Sequence, residues 1–352
     1  MARKLWGEVP IYIFALIGTC VCIYLWHKFD VDFGVANLLV NARLFLAAGL
    51  VLGAIKLFRD LARYRPDSPI AWLRTHYCTP AAFKAFLAGM PLIVIGAAIV
   101  PAFSSLKSMI PLFTDYTWDP VFIAWDRMIF FGRDPWELLQ PVLGYPAITA
   151  GLAVIYHLWL LLLYPGVFYM AFARQIDRDT RRAFFLSYIM GWSLVGGLLA
   201  TMLASVGPVF AEPLLGITDF VAQTDYLRAA NEQIPVMVVP VQDMLVERFM
   251  ASERGLGSGI TAMPSMHIAI CVLYWIAMRE VSPRLGRYFL AFMIVIWIGS
   301  VHLAYHYALD GLASLIAMAA IWWFAKRLFK LWDRLPMPFA QAILRTNTVP
   351  AE

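Results

Sequence analysis

Two short stretches carry residues whose types and spacing suit phosphoryl chemistry. One is Met263-Pro264-Ser265-Met266-His267; the other is His302-Leu303-Ala304-Tyr305-His306-Tyr307-Ala308-Leu309-Asp310. Each sits where an apolar run meets a polar loop. One hydrophobic out-and-back hairpin separates them, so both can return to the same face of a membrane. Asp310 follows His306 by four residues, and on a helix the two would share a face. A carboxylate beside an imidazole fixes its tautomer and raises its basicity, leaving the other ring nitrogen to attack phosphorus. His267, from a different helix end, suits general acid catalysis on the departing alkoxide. Pro264 suits a first helical turn because it has no N–H to lose. A helix start there aims backbone N–H groups at a phosphate, and Ser265 adds a hydroxyl donor. The set fits in-line transfer through a phosphohistidine, with neither a metal nor an organic cofactor.

A Pro-Ser-x-His that opens a helix, followed a hairpin later by His-x3-Asp, resembles the second and third motifs of the type 2 phosphatidic acid phosphatase superfamily. Pro264, Ser265 and His267, then His306, Tyr307 and Asp310, carry the resemblance within residues 262–311. The inositol phosphorylceramide synthase-like branch, with Pro-Ser-Leu-His and His-His-Tyr-x-x-Asp, is the most similar. The resemblance implies His306 as nucleophile, Asp310 as its orienter, and His267 as acid and then base. Two features of the superfamily are missing. Its first motif is Lys-x6-Arg-Pro, but Thr114 stands seven positions after Lys107; its third motif has an Arg six residues before the His, where Ser300 stands here. The branch also lacks that second Arg.

Other groups must then balance the phosphate charge. Lys107 and Arg254 are nearest to span mouths, Arg127 and Arg133 lie further out, and Ser265 and His302 complete the expected phosphate-binding set. Asp119 and Asp126, with Arg127 and Arg133, are candidates for a head-group or acceptor site, or the two acids are simply solvated. Trp118, Trp125 and Trp136 suit interface anchors. His302, His306 and Asp310 fall at i, i+4 and i+8, a spacing that could ligate a metal, but imidazole pairs also suit metal-free transfer, and support of its neighbours or plain packing is the other expectation for His302.

The elements that position these residues follow from composition. Of 352 residues, 61% are hydrophobic and 14% charged, against about half and about a quarter in soluble domains. This predicts an all-α polytopic membrane protein. Eight apolar runs are long enough to span a bilayer or nearly so: Val9–Trp26, Leu38–Phe58, Ala85–Phe103, Ala147–Phe172, Phe184–Val206, Pro264–Met278, Tyr288–Ala304 and Leu309–Phe324. Alternating sides from an inside N-terminus puts 20 of the 28 Lys and Arg inside, seven outside, and Arg43 within a span. That matches the positive-inside rule, so the net charge of +5 reflects sidedness and not nucleic-acid binding. Both motifs then face outside. The outer segments 104–146 and 207–263 are too long for simple turns, and the first has the pattern of interfacial helices. Residues 1–84 read as two N-terminal spans with a basic loop, 85–330 as a six-helix catalytic bundle, and 331–352 as a cytoplasmic tail. The four cysteines suggest no disulfide framework.

The expectation is a lipid phosphotransferase in a bacterial inner membrane. It would move an inositol phosphate or similar polyol phosphate from a phospholipid to a lipid or glycan hydroxyl. A lipid-phosphate phosphatase with water as acceptor uses the same residues. A transporter would need more ionisable residues at mid-span than Arg43.

Overall fold

The computed structural model describes residues 2–31, 35–251, 253 and 259–336, and all regular structure among them is helical. In chain order the helices are α1 (Ala2–Lys28), α2 (Val35–Tyr64), α3 (Pro69–Tyr77), α4 (Pro80–Ser108), α5 (Ile110–Phe113), α6 (Asp119–Ile129), α7 (Pro135–Leu143) and α8 (Pro146–His157). There follow α9 (Val167–Phe172), α10 (Arg178–Met190), α11 (Ala200–Met202), α12 (Pro208–Leu215), α13 (Val221–Gln233) and α14 (Val238–Met250). The last three are α15 (Met266–Val281), α16 (Pro283–His302) and α17 (Ala308–Trp332). Wide π-helical turns, Leu162–Gly166 and Gly191–Leu199, join α8 to α9 and α10 to α11.

Every apolar run expected to span is largely helical; the exceptions are a turn at 158–159, the irregular ends at 203–206 and 264–265, and the turn at 303–304. Seven stretches are long and apolar enough to cross a membrane by length and composition: Trp6–Lys28, Asn37–Tyr64, Pro80–Ser108, Pro146–Phe172, Arg178–Met202, Pro283–His302 and Ala308–Trp332. The eighth, α15, has 16 residues, about 24 Å of helix against a hydrocarbon core of about 30 Å. It can be short because it does not face lipid. Eleven of its residues are buried, and a helix that is apolar all round belongs in a core. It packs against α16, α17 and α10, and with Phe184, Phe185 and Tyr188 of α10 it forms the centre of the main apolar cluster.

One expectation is corrected. Pro264 does not occupy the first turn of α15. Ser265 is the cap, its hydroxyl accepting the Ile268 N–H at 3.5 Å, and the helix begins at Met266. Most of the long outer segment 207–263 is helical. The prolines at 208, 235 and 240 stand at or near helix starts, where the missing N–H costs little, and α12, α13 and α14 form a cap over the bundle. The glycine-rich lead before Gly259, and the tail from 337 on, lie outside the described residues.

At the opposite end, Arg182 locks the bundle. Its side chain is 2% exposed and donates to both oxygens of Asp333 (2.9 and 2.7 Å), to Asp179 (2.6 Å) and to the Gly7 carbonyl (3.1 Å). The guanidinium also sits 4.6 Å over the Phe329 ring. It thereby joins α1, α10 and the end of α17. Arg182→Met would remove these bonds while leaving Asp333 partly hydrated. The expected cost is about 2–3 kcal/mol, read as a lower thermal midpoint in detergent with the turnover of the surviving folded protein unchanged.

Candidate active site

The two motif loops meet at one hub, residues 204–209. The Ser205 carbonyl and hydroxyl accept the N–H groups of Ala262 (2.9 Å) and Met263 (3.2 Å), which holds the approach to α15. The Val209 N–H donates to the Ala304 carbonyl at 2.8 Å, which holds the turn after α16. Gly207 has φ +90°, and a Cβ there would press on the Tyr305 carbonyl and Ala262. Only glycine permits both that backbone and that approach.

The turn after α16 is clamped by side chains. Ala304 takes the left-handed conformation, with φ +61°, which is uncommon for a residue with a Cβ. Gln223 of α13 donates to the carbonyls of Val301 (2.8 Å) and His302 (3.2 Å), and Gln242 of α14 donates to Leu303 (2.8 Å). These contacts satisfy carbonyls that the end of α16 leaves open. Neither glutamine stands out in the sequence, because each is one of several polar residues in an outer helix.

His306 Nδ1 lies 2.9 Å from Asp310 Oδ2. The pair meets, though not as neighbours on a helix face. His306 precedes α17, and Asp310 in its first turn reaches back to accept both the imidazole and the Tyr307 N–H (3.1 Å). Asp310 is 0% exposed, so its charge depends on these partners. With Nδ1 on Asp310, Nε2 is the ring nitrogen left free of that carboxylate. Burial, with the Lys107 ammonium close by, pushes the His306 imidazole down to about 3, so the ring is neutral at physiological pH.

His267 faces His306 with ring centroids 6.2 Å apart. Its ring is packed between Tyr156, stacked at 4.5 Å, and Trp159 at 4.2 Å, and Tyr156 in turn stacks on Tyr305 at 5.4 Å. Both imidazoles line a cavity of about 370 Å³. Lys107, Ser104, Pro264 and Met266 line it with them, and Val100, Phe103, Leu160, Leu163 and Gly196 are part of its apolar wall. Both π-helical turns contribute to that wall, and such wide turns recur at functional sites. The N–H groups of Met266 and His267, first in α15, have no partner within the helix. Tyr156 and Trp159 could have been suspected from the aromatic run in their span, but nothing in their spacing points at His267.

Among the described residues Lys107 is the one Lys or Arg that lines the cavity. Gly259 lets the chain lie directly against it. The other expected phosphate and head-group residues do not converge there. Arg254 lies outside the described residues. Arg127 is held by Asp134 (2.9 Å) and Asp219 (2.6 Å), and Arg133 is exposed away from the cavity. The Ser265 hydroxyl caps α15. His302 points elsewhere because the chain reverses at Ala304, which destroys the i, i+4, i+8 alignment; its Nε2 lies 2.9 Å from the Thr149 hydroxyl. Asp119 and Asp126 turn inward onto backbone N–H groups and do not border the cavity. Burial pushes the Asp126 carboxyl up to about 7, while the N–H groups of Ala308 and Leu309 pull it the other way.

A family model described as the PAP2 superfamily matches residues 121–324, more than half of the chain. The matched span includes His267, His306 and Asp310. Comparison with curated proteins and with solved structures gave no match.

The His306 shift has a definite sign. The unfolded imidazole binds a proton near pH 6.5 and the folded one only near 3. Stability from this group is therefore complete above about 6.5 and drains as pH falls toward 3. In activity, kcat/KM is expected to show no acid limb near 6.5 from loss of neutral His306, so it should not fall between pH 7 and about 5. A pH profile over that range checks it.

Proposed function

The chain belongs to the PAP2 superfamily, whose members are phosphatases and phosphotransferases, and from that membership we infer that it is an integral-membrane lipid phosphotransferase. The observation that carries the reading is the pair of imidazoles 6.2 Å apart, one bound to a buried carboxylate, in a cavity lined by apolar side chains and, among the described residues, by one cation. A phosphoryl group needs about 3–3.5 Å from the attacking nitrogen and a hydrogen bond of about 2.6–3.2 Å from its leaving oxygen to the acid. The spacing of the rings is suited to one such group.

In the first half-reaction His306 Nε2 attacks phosphorus in line, and the bond to the lipid alkoxide breaks. Protonated His267 gives its proton to that alkoxide. Asp310 holds the Nδ1 proton and stabilises the positive charge that develops on the ring. In the second half-reaction His267 takes the proton of an acceptor hydroxyl, whose oxygen attacks phosphorus as the P–N bond breaks. The Lys107 ammonium and the first N–H groups of α15 bind the non-bridging oxygens.

Charge favours an intact phospholipid as donor. A phosphodiester carries one negative charge, which Lys107 alone balances, whereas a phosphate monoester dianion calls for a second cation. The missing motif arginines support the same choice, and with it the inositol phosphorylceramide synthase-like branch. The donor is then a phosphatidyl polyol such as phosphatidylinositol, and the acceptor a lipid or glycan hydroxyl. The charge distribution of the loops supports a site on the outer face of the membrane, and the compact loops suit a bacterial plasma membrane.

Purified protein given phosphatidylinositol labelled in its head-group phosphate, with an alcohol acceptor, is expected to move the label to the alcohol. His306→Ala and His267→Ala should each reduce turnover by about 10³-fold or more. Release of labelled inositol phosphate or free phosphate that no alcohol suppresses would establish water as the acceptor and exclude the transferase.

A further inference from the structure

The geometry points to Asp119 and Asp126 as positioning residues for the nucleophile, a brace by which α6 fixes the backbone on both sides of His306. This rests on the reading of His306 above. The two acids are seven residues apart, two helical turns, and so share one face of α6. That face is turned inward: Asp119 is 0% and Asp126 2% exposed.

Each carboxylate is fully committed. Asp119 accepts the N–H groups of Val206 (2.9 Å) and Gly207 (2.9 Å) and the Tyr307 hydroxyl (2.7 Å). Asp126 accepts the N–H groups of Ala308 (2.7 Å) and Leu309 (2.9 Å), one on each oxygen. The three residues after His306 are therefore all held from α6. Gly207, against which the Tyr305 carbonyl rests, is held from the same helix. A carboxylate at the start of α17 also meets the positive end of its dipole. That start is where Asp310 must turn back to reach His306.

Two other roles are disfavoured. Recognition of a head group would need a free oxygen on the cavity, and neither acid borders it. Support of the fold alone would place the acids on the nearest helix. They instead reach, across 87 and 182 or more positions of sequence, only to the hub and to the turn bearing His306.

The test uses the full-length protein in nanodiscs, with Asp126→Asn, Asp119→Asn and Tyr307→Phe. Asparagine keeps the size and one acceptor oxygen but sets an NH2 against a backbone N–H. Three readouts are taken: amide hydrogen exchange across residues 303–312, kcat and KM on phosphatidylinositol vesicles with an alcohol acceptor, and the thermal midpoint. For Asp126→Asn, exchange at Ala308 and Leu309 should rise about tenfold or more. Its kcat should fall about 30-fold with KM within about threefold. Tyr307→Phe, a mild change that retains the ring packing, should lower kcat about fivefold with an unchanged midpoint, and it decides the matter if either Asn variant does not fold. Unchanged exchange overturns the brace, as does raised exchange with wild-type kcat, or a raised KM with kcat intact. If wild type and His306→Ala turn the lipid over equally, the functional reading fails, while the exchange data still decide the brace.

Discussion

A carboxylate with no exposed surface must be bonded or neutral, and the arrangement around Asp310 follows from that constraint. One of its oxygens meets His306 Nδ1 and the Tyr307 N–H. Those bonds hold only if the chain turns sharply between α16 and α17 and keeps that turn. The turn contains a left-handed alanine and would not hold by itself. Side chains and backbone from α6, α12, α13 and α14 hold it. The outer helices are thus less a lid than a frame, with Asp126, Gln223 and Gln242 all bound to main-chain groups of this loop.

The same economy explains the membrane part. α15 carries His267 into the bundle and is enclosed by other helices, so it can be shorter than a lipid-facing span. Both π-helical turns contribute to the cavity wall, at Leu163 and Gly196. Two imidazoles and, among the described residues, one ammonium share that cavity with apolar side chains. At the far side Arg182 closes the bundle with bonds to three elements.

Much of this was legible in the sequence, and the limits have physical causes. Hydrophobic length alone gives the spans, because a bilayer imposes a fixed thickness. His267, His306 and Asp310 are legible because a motif at loop–helix junctions leaves few alternatives. Their contact mode was not. An i, i+4 pair suggests one helical face, whereas Asp310 reaches back across a helix start. His302 was misaligned by the same assumption, since one left-handed residue, Ala304, reorients everything after it. Asp119 and Asp126 looked like solvated or ligand-binding acids because sequence does not say which helix face is inward. Gln223, Gln242 and the 204–209 hub were invisible, for their partners are backbone groups about 60 to 100 positions away.

The central claim is that His306 carries the phosphoryl group between donor and acceptor. The most direct measurement is a single turnover with phospholipid labelled at phosphorus, quenched in alkali and mapped by peptide mass spectrometry. An alkali-stable, acid-labile label on His306, absent from His306→Ala and accumulating when the acceptor is withheld, is the predicted result. Transfer that proceeds at the normal rate with no label on the protein, or with the label on a residue other than His306, would contradict it.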